Sequence, residues 1–115
     1  MTMSINQLMV QDGSPRFYSE AWILMIESHL EFLRVRSAEN IIRIEPYLSL
    51  KHEADLFGLL RHLRIPPEHY ITTMRLNDYA SPTDFRAETE TLILPDFALV
   101  DDLRKVHQTI QKKTI

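Results

Sequence analysis

Apolar side chains recur at three- and four-residue spacing early in the chain, while the polar residues between them fall mostly on the opposite face. This pattern predicts a long amphipathic helix. Ser14 and Pro15 stand before it as an N-cap and a first helical residue, a common start signal. The apolar series is Phe17, Tyr18, Ala21, Trp22, Met25, Ile26, Leu30 and Leu33.

A second apolar series near the other end of the chain predicts a helix over residues 97–113. Asp96 precedes it and is suited to cap its first turn. The 3-4 spacing of this series fits either a helix that covers the domain's own core or one that packs on a helix of another subunit. The apolar positions are Leu99, Leu103, Val106 and Ile110.

Two short alternating segments between these helices predict β-strands. Ile42 and Ile44 flank Arg43 in the first segment, and Leu92 and Leu94 share one side of the second. A proline follows each segment and limits its length. Strands of about five residues are not stable alone, so we expect them to pair antiparallel and to lie on helices.

The residues between the two strands predict two short helices. The first contains Gly58, which costs about 1 kcal/mol relative to alanine in a helix, so we expect a neighbouring helix or strand to approach it closely. The second ends at Asn77, a residue suited to the left-handed conformation. Their apolar faces comprise Leu56, Leu59, Leu60 and Leu63 in the first, and Tyr70, Ile71 and Met74 in the second.

This order of elements predicts an α+β fold with a β-α-α-β core over about residues 41–95, flanked by the two amphipathic helices. A chain of 115 residues forms one domain, and we place it at 14–115. Residues 1–13 end in an Asp-Gly turn signal and are predicted to form an arm that needs a partner to order it.

Charge and composition exclude several classes of function. The net charge of −3 and the lack of a basic stripe argue against a nucleic-acid partner. The chain has no cysteine, so disulfides and thiolate metal sites are impossible. No apolar run approaches the roughly 18 residues that span a bilayer. The first residues lack the charge pattern of a secretory signal, so we expect neither secretion nor a membrane partner.

No arrangement of residues predicts catalysis, a cofactor or a metal ion. His52 begins a segment like that of zinc proteases, but Leu56 stands where the second histidine belongs. His62 and His69 are separated by two prolines, which spoils a shared helical face. The two glycines are too few for a phosphate-binding loop. We therefore expect a protein that is not an enzyme and binds no cofactor.

Acidic side chains concentrate between Asp84 and Asp102. This stretch carries six carboxylates against Arg86 alone, a local net charge of −5. A carboxylate pair for acid–base chemistry is conceivable, but solvated loop charges and a helix cap explain the stretch more simply.

The longest irregular segment is also unusual because it contains aromatic residues. It reads LNDYASPTDF and includes Tyr79 and Phe85. Aromatic side chains give a large contact area for little loss of conformational freedom, which suits anchors for another protein. The alternative is that both rings fold back onto the domain's own core. The sequence does not decide between the two.

The segment from Tyr47 to Pro95 resembles a LysM domain. The resemblance rests on Leu56 near the start of the first helix, on Leu76-Asn77 at the end of the second, and on Leu94-Pro95 after the last strand. LysM domains hold N-acetylglucosamine chains between two loops. Both loops depart from the family here, because one has no glycine and 87–90 replaces the usual Pro-Gly. Peptidoglycan binding is therefore not expected from the resemblance.

A second resemblance covers more of the chain, from about Phe17 to Leu103. Baseplate subunits of long-tailed bacteriophages, of the LysM-like wedge type, share a pattern that is carried here by Leu59, Leu63, Ile65-Pro66, Met74, Asn77, Pro82 and Asp84. The resemblance implies a structural virion protein of the tail tip or baseplate. Such a protein would be made in the host cytoplasm and would assemble with other tail proteins as a symmetric homo-oligomer.

Two other functions stay open from the sequence. One is a peptidoglycan-binding LysM module, and the other is an intracellular adaptor or regulator that uses the basic residues of the Leu56–Leu63 helix. An enzyme is the remaining and least supported class. For the assembly function we expect interface residues at Trp22, Asn77, Asp78, Tyr79, Pro82, Asp84, Phe85, Leu99, Leu103, Val106 and Ile110.

Overall fold

Six helices and a two-stranded sheet make up the part of the chain that the structure describes, and the fold is α+β. A computed structural model describes residues 18–114, with only the backbone of 109–114. The predicted arm at 1–13, the Ser14-Pro15 start signal and Phe17 lie outside this range. The elements are α1 (Glu20–Ser28), α2 (Leu30–Ser37), β1 (Ile41–Arg43), α3 (Pro46–Lys51), α4 (Leu56–His62), α5 (Tyr70–Leu76), β2 (Thr91–Ile93) and α6 (Phe97–Thr114).

The single long N-terminal helix predicted from the sequence is wrong, because the helix breaks at His29 into α1 and α2. His29 has φ −110° and ψ 11°, outside helical values. Its backbone N–H is shared between the carbonyl groups of Met25 and Ile26, both at 3.2 Å. Its ring Nδ1 lies 2.8 Å from the Met25 oxygen. The ring and the backbone therefore compete for one carbonyl group, and such competition disrupts a helix.

The two strands pair antiparallel, as predicted, but each has three residues. Ile41 lies opposite Ile93, Ile42 opposite Leu92 and Arg43 opposite Thr91. The N–H of Leu94 bonds to the carbonyl of Asn40 at 2.8 Å, and Ile44 bonds to Glu90 at 2.9 Å. Hydrogen-bonded pairs alternate along an antiparallel ladder. The backbone N–H and C=O groups of Ile42 and Leu92 therefore point towards each other. Those of Ile41, Arg43 and Ile93 point away from the partner strand.

Three helices lie between the strands where two were predicted, because Pro46 starts a helix as well as limiting β1. Proline suits the first helical position, since its N–H is not needed there. The resulting helix α3 buries Leu48 and exposes Tyr47 and Leu50. Ser49 is buried as well, and its hydroxyl donates to the Thr89 carbonyl at 2.6 Å, which ties α3 to the segment before β2.

Gly58 makes room for the cap of its own helix, because the three atoms nearest to a Cβ at this position all belong to Asp55. Asp55 is the N-cap of α4 and accepts a hydrogen bond from the Gly58 N–H at 3.1 Å. A Cβ atom at position 58 would lie 2.0 Å from the carboxylate Oδ2 of Asp55. Any larger residue must therefore displace the capping side chain.

The helix α5 ends at Leu76 with Asn77 as its C-cap, close to the predicted end, but Asn77 is not left-handed. Its φ is −96°, whereas the next residue, Asp78, has φ 63°. Aspartate tolerates this conformation better than most residues. The left-handed residue therefore comes one position later than expected, and the Asn77 side chain can form hydrogen bonds outside α5.

The core has two parts that meet along α5. The first lies between the sheet and helices α4 and α5, and includes Phe57, Tyr70 and Leu92. The second joins α1 and α2 to α6, and it also includes Leu76 from α5. Its buried members are Trp22, Ile26, Leu30, Leu33, Leu76 and Val100. Helices α1, α2 and α6 thus share a core with one another, in addition to covering the core that contains the sheet.

Candidate functional site

The Asn77 side chain fastens the start of the irregular segment to β2. Its amide group donates to the Ile93 carbonyl at 2.8 Å, and its oxygen accepts from the Ile93 N–H at 2.8 Å. The same amide nitrogen donates to the Thr73 carbonyl at 2.7 Å. Asn77 is therefore a structural link between α5 and the outer edge of β2, and its polar atoms are already used within the domain.

The middle of the segment is a capped 3-10 turn at Pro82–Asp84. The Asp84 carboxylate accepts from the N–H groups of Ala80 and Ser81, each at 3.1 Å, while the Ser81 hydroxyl accepts from the Thr83 N–H. This reciprocal arrangement is a capping box. Pro82 is buried, whereas Asp84 remains exposed. The turn is thus held by its own hydrogen bonds and presents one carboxylate.

The two aromatic residues of the segment take different positions. Phe85 is buried with 1% of its surface exposed and belongs to the core beside α4, so of the two alternatives that the sequence left open, an anchor for another protein or a ring folded onto the core, the structure has the second. Tyr79 is half-buried and packs edge-on against Phe85, with 6.0 Å between ring centroids. Only Tyr79 keeps part of its ring accessible to a partner.

A cleft of about 550 Å³ opens beside these rings. One wall is formed by Glu53 and Ala54, and the carbonyl of Phe85 accepts from the Ala54 N–H at 2.8 Å. The other wall is formed by residues of the irregular segment. These are Asp78, Tyr79, Thr83, Asp84, Phe85 and Arg86. The cleft therefore combines carboxylates with one guanidinium group and one accessible ring.

Ion pairs join the same segment to the N-terminal helices. Arg34 of α2 pairs with Asp78, whose side chain is 78% exposed. Arg75 of α5 pairs with Glu27 of α1 and also donates to the Tyr79 carbonyl at 2.8 Å. Exposed ion pairs contribute little to stability, but together with the Asn77 link they give the segment one defined position.

A cluster that the sequence did not predict lies where α5 meets α6. His69 is buried, with its ring 4.6 Å from that of Phe97, and its Nε2 lies 3.3 Å from the Asp101 carboxylate. Glu68, His69 and Asp101 each place one potential metal ligand within 4.8 Å of the others. Arg104 donates to the Glu68 carbonyl beside them. His69 and Asp101 lie far apart in sequence, so no spacing motif could indicate the pair.

Burial lowers the pKa of His69 below its usual value near 6.5, although Asp101 and Glu68 oppose this effect. Arg104 adds to the lowering. The Nδ1 atom of His69 is buried without a hydrogen-bond partner among the described residues. The neutral imidazole could bind a metal ion, but the nearby Arg104 guanidinium works against a cation. This cluster is best understood as a structural contact between α5 and α6.

The predicted interface residues of the terminal helices lie mostly in the second core. Trp22 is fully buried, with the Arg104 guanidinium 4.1 Å above its ring, so the prediction that it contacts another protein is wrong. Leu99 and Leu103 are half-buried against the same core. Val106 is 51% exposed and stays available. The side chain of Ile110 lies outside the described residues.

Large apolar side chains are exposed on the outer face of α1 and α2 instead. Leu24, Phe32 and Val35 are 65%, 49% and 74% exposed. Phe32 and Val35 are three residues apart and share one side of α2, and Leu24 lies on α1 before the break at His29. In the sequence, these residues are distinguished by being apolar and yet lying outside the apolar stripe that predicts the buried face. Exposed apolar patches of this kind often mark contacts with other proteins.

No helix within the described residues is long and apolar enough to cross a membrane. Comparisons of the chain with protein-family models, with curated proteins and with solved structures gave no match.

Proposed function

We propose that this protein is a structural subunit of a bacteriophage tail tip or baseplate and acts by assembling with other tail proteins. The observation that carries this proposal is the exposed apolar face of Leu24, Phe32 and Val35 on α1 and α2. In the resemblance described above, the residues from Phe17 onward form an amphipathic segment before the LysM-like core. An apolar outer face on that segment fits a subunit that is covered by neighbours in a particle.

The internally fastened irregular segment also supports assembly. Its capping box, the Asn77 link and the Arg34–Asp78 pair hold Tyr79 and Asp84 in a defined position. Preorganised surface groups lose little freedom on binding. Such a surface is more typical of a subunit that packs between fixed neighbours than of a protein that adapts to many ligands.

The LysM-like arrangement is part of the same proposal. In it, β1, α4, α5 and β2 correspond to the β-α-α-β core, and α3 is inserted between β1 and α4. The antiparallel pairing of the two strands is compatible with this assignment. The subunit would be a virion protein made in the host cytoplasm, present as a symmetric set of copies in the tail.

Quantitative mass spectrometry of purified particles of the encoding phage tests the proposal. We expect the chain at a fixed copy number that matches a symmetric ring, and at the same ratio to the tail proteins in independent preparations. A variable trace amount that is removed by washing would contradict the proposal.

A peptidoglycan-binding LysM module is the second candidate, favoured by the position of the 550 Å³ cleft. The cleft lies between residues 53–54 and the segment from Asp78 to Arg86. Residues 53–54 belong to the first of the two loops that hold N-acetylglucosamine chains in the family that the sequence resembles, and Arg86 directly precedes the second loop at 87–90. Co-sedimentation of the purified chain with insoluble peptidoglycan tests this candidate. Salt-resistant pelleting that chitin oligomers compete away would support it over the tail proposal.

A further inference from the structure

Helix α6 is held to the rest of the domain by charged and titratable side chains as well as by apolar ones. Among its described side chains, only Val100 is buried completely. Asp101 lies 3.3 Å from His69, and Arg104 lies 4.1 Å above the Trp22 ring. The attachment of this helix therefore depends on the charge of the groups that meet there.

Two histidines take part in this contact, and Arg104 is close to both. Arg104 donates to the carbonyl group of Glu68, the residue before His69. His107 follows Arg104 by about one helical turn, and its ring centroid lies 5.6 Å from that of Trp22. Histidine gains a positive charge in mild acid. Acid therefore adds two charges beside a guanidinium group that is always charged.

The site of His69 accommodates one ring proton better than two. A proton on Nε2 lies beside the Asp101 carboxylate, but Nδ1 is buried and has no hydrogen-bond partner among the described residues. A second proton would therefore bury an unpaired donor, which is unfavourable. Burial has the largest effect on the pKa of His69 and lowers it, and Arg104 acts in the same direction. Asp101 and Glu68 oppose this lowering without reversing it.

His107 responds to acid in the same direction. Burial lowers its pKa, and Arg104 adds to the lowering. Release of α6 would bring the His107 ring into water and take Arg104 away from His69, so both pKa values would return towards 6.5. Because the released state binds protons more readily, each histidine raises the equilibrium constant for release by up to about tenfold per pH unit between its lowered pKa and 6.5.

Release of α6 leaves the first core intact. The described residues of that core lie between Tyr18 and Leu94, before α6 begins. Helix α6 contributes instead to the second core, through Val100 and, in part, through Leu99 and Leu103. A unit whose contacts are confined to one core can open without global unfolding.

We propose that α6 is an acid-released helix, which leaves the domain when His69 and His107 become protonated beside Arg104, while the sheet, α4 and α5 stay folded. The released state uncovers Trp22, which Arg104 covers in this structure. It thereby presents an apolar surface that is hidden at neutral pH and is separate from the exposed face of α1 and α2. Release needs no other tail protein, so it holds or fails independently of the proposed function.

Amide hydrogen exchange followed by NMR from pH 7.5 to pH 5 tests the release on the full chain, with rates corrected for the intrinsic effect of pH. Leu103 reports on α6, and Leu60, which is buried in α4, reports on the rest of the domain. Isolated helices are marginal in water, so the amides of a released α6 exchange. We expect the protection factor of Leu103 to fall by about tenfold or more relative to that of Leu60. A constant ratio of the two would overturn the proposal.

Variants identify the groups responsible. Arg104→Met removes the charge and keeps a long side chain over Trp22, so NMR titration should show the pKa values of His69 and His107 nearer to 6.5. The double variant His69→Gln/His107→Gln should hold the ratio of the two protection factors nearly constant with pH. His62→Gln is the matched control, because His62 is exposed on α4, and it should keep the wild-type response. Equal pH responses of the double variant and the control would contradict the proposal, as would unchanged histidine pKa values in Arg104→Met.

Discussion

The side chain of Asn77 bonds to both backbone groups of Ile93, with 2.8 Å in each direction. It thus takes the place that a third strand would have beside β2. A three-residue strand has few ladder bonds of its own. A side chain that occupies its outer edge therefore holds both the strand and the segment that connects α5 to it.

We expect Asn77→Ala to lower the free energy of unfolding by about 2 kcal/mol, because it leaves the partly buried N–H and C=O of Ile93 without partners. Asn77→Asp should restore only the acceptor and should place a carboxylate beside two carbonyl oxygens. Urea unfolding measures both effects. Asn40→Ala is the control, since the Asn40 side chain is exposed and the change should cost less than about 0.5 kcal/mol. Equal stabilities of Asn77→Ala and Asn40→Ala would contradict the structural role of Asn77.

Gly58 and Asp55 should be energetically coupled. Gly58→Ala gains about 1 kcal/mol of helix propensity, but the new Cβ displaces the Asp55 cap, which is worth about 1 kcal/mol. We therefore expect Gly58→Ala to change stability little in the wild type and to stabilise the Asp55→Ala variant by about 1 kcal/mol. A thermodynamic cycle of the four proteins, measured by thermal or urea unfolding, gives the coupling. The same gain in both backgrounds would show that the cap is not displaced.

Acid should destabilise the protein partly through His69. Burial lowers the pKa of His69 in the folded state below the value near 6.5 that it has when unfolded. The unfolded chain then binds a proton more readily, so stability is complete above pH 6.5 and falls as the pH decreases towards the folded pKa. Unfolding free energies measured from pH 7.5 downward should show this loss.

The variant His69→Gln isolates that contribution. Glutamine can still donate to Asp101 but does not titrate, so the loss of stability with acid should be shallower than in the wild type. Asp101→Asn removes the carboxylate that raises the pKa of His69, and should make the loss steeper. An unchanged slope in His69→Gln would place the acid sensitivity in other groups, such as His107, whose pKa burial also lowers.

The exposed face of α1 and α2 should be needed for assembly and not for folding. Leu24 is 65% exposed, so Leu24→Lys should change the free energy of unfolding by less than about 0.5 kcal/mol. We expect this variant to be lost from particles when it replaces the wild-type chain in the infecting phage. Leu50→Lys on α3 has the same exposure and serves as the matched control. Equal exclusion of both variants would point to a general effect of added charge.

Local patterns were sufficient to predict much of the fold. The alternation around Ile42 and Leu92 predicted both strands, and their antiparallel pairing is confirmed. The spacing of Leu99 and Leu103 predicted the last helix, which spans Phe97–Thr114. Asp96 caps it through a bond from the Leu99 N–H at 3.2 Å. The two strands and the last helix depend on residues within a few positions of one another, so sequence periodicity contains them, whereas the pairing joins distant residues such as Ile41 and Ile93.

The errors occurred where one residue had two local choices. Pro46 can end a strand or start a helix, and Leu48 and Ser49 had to be buried for the helix to form. His29 sits within a helical pattern, yet its ring contacts the Met25 carbonyl and the helix breaks there. Gly58 indicated a close approach, but the approaching group is the Asp55 carboxylate of the same turn.

The candidate site was less predictable than the fold. The sequence marked the segment around Tyr79 and Phe85 and left open whether their rings face a partner or the core. Phe85 is in the core and Tyr79 lies against it, because α4 provides an apolar surface that no local pattern reveals. The apolar face at Leu24 became visible only once the buried side of α1 was known.

By itself, then, the sequence determined most of the element types and the lack of cysteine chemistry, since each depends on composition or on neighbouring residues. Tertiary structure alone decided that Asn77 bonds to Ile93 and that His69 meets Asp101. Each of these depends on residues brought together from distant parts of the chain. Hydrogen bonds and burial between such residues follow from packing and have no signature in local spacing.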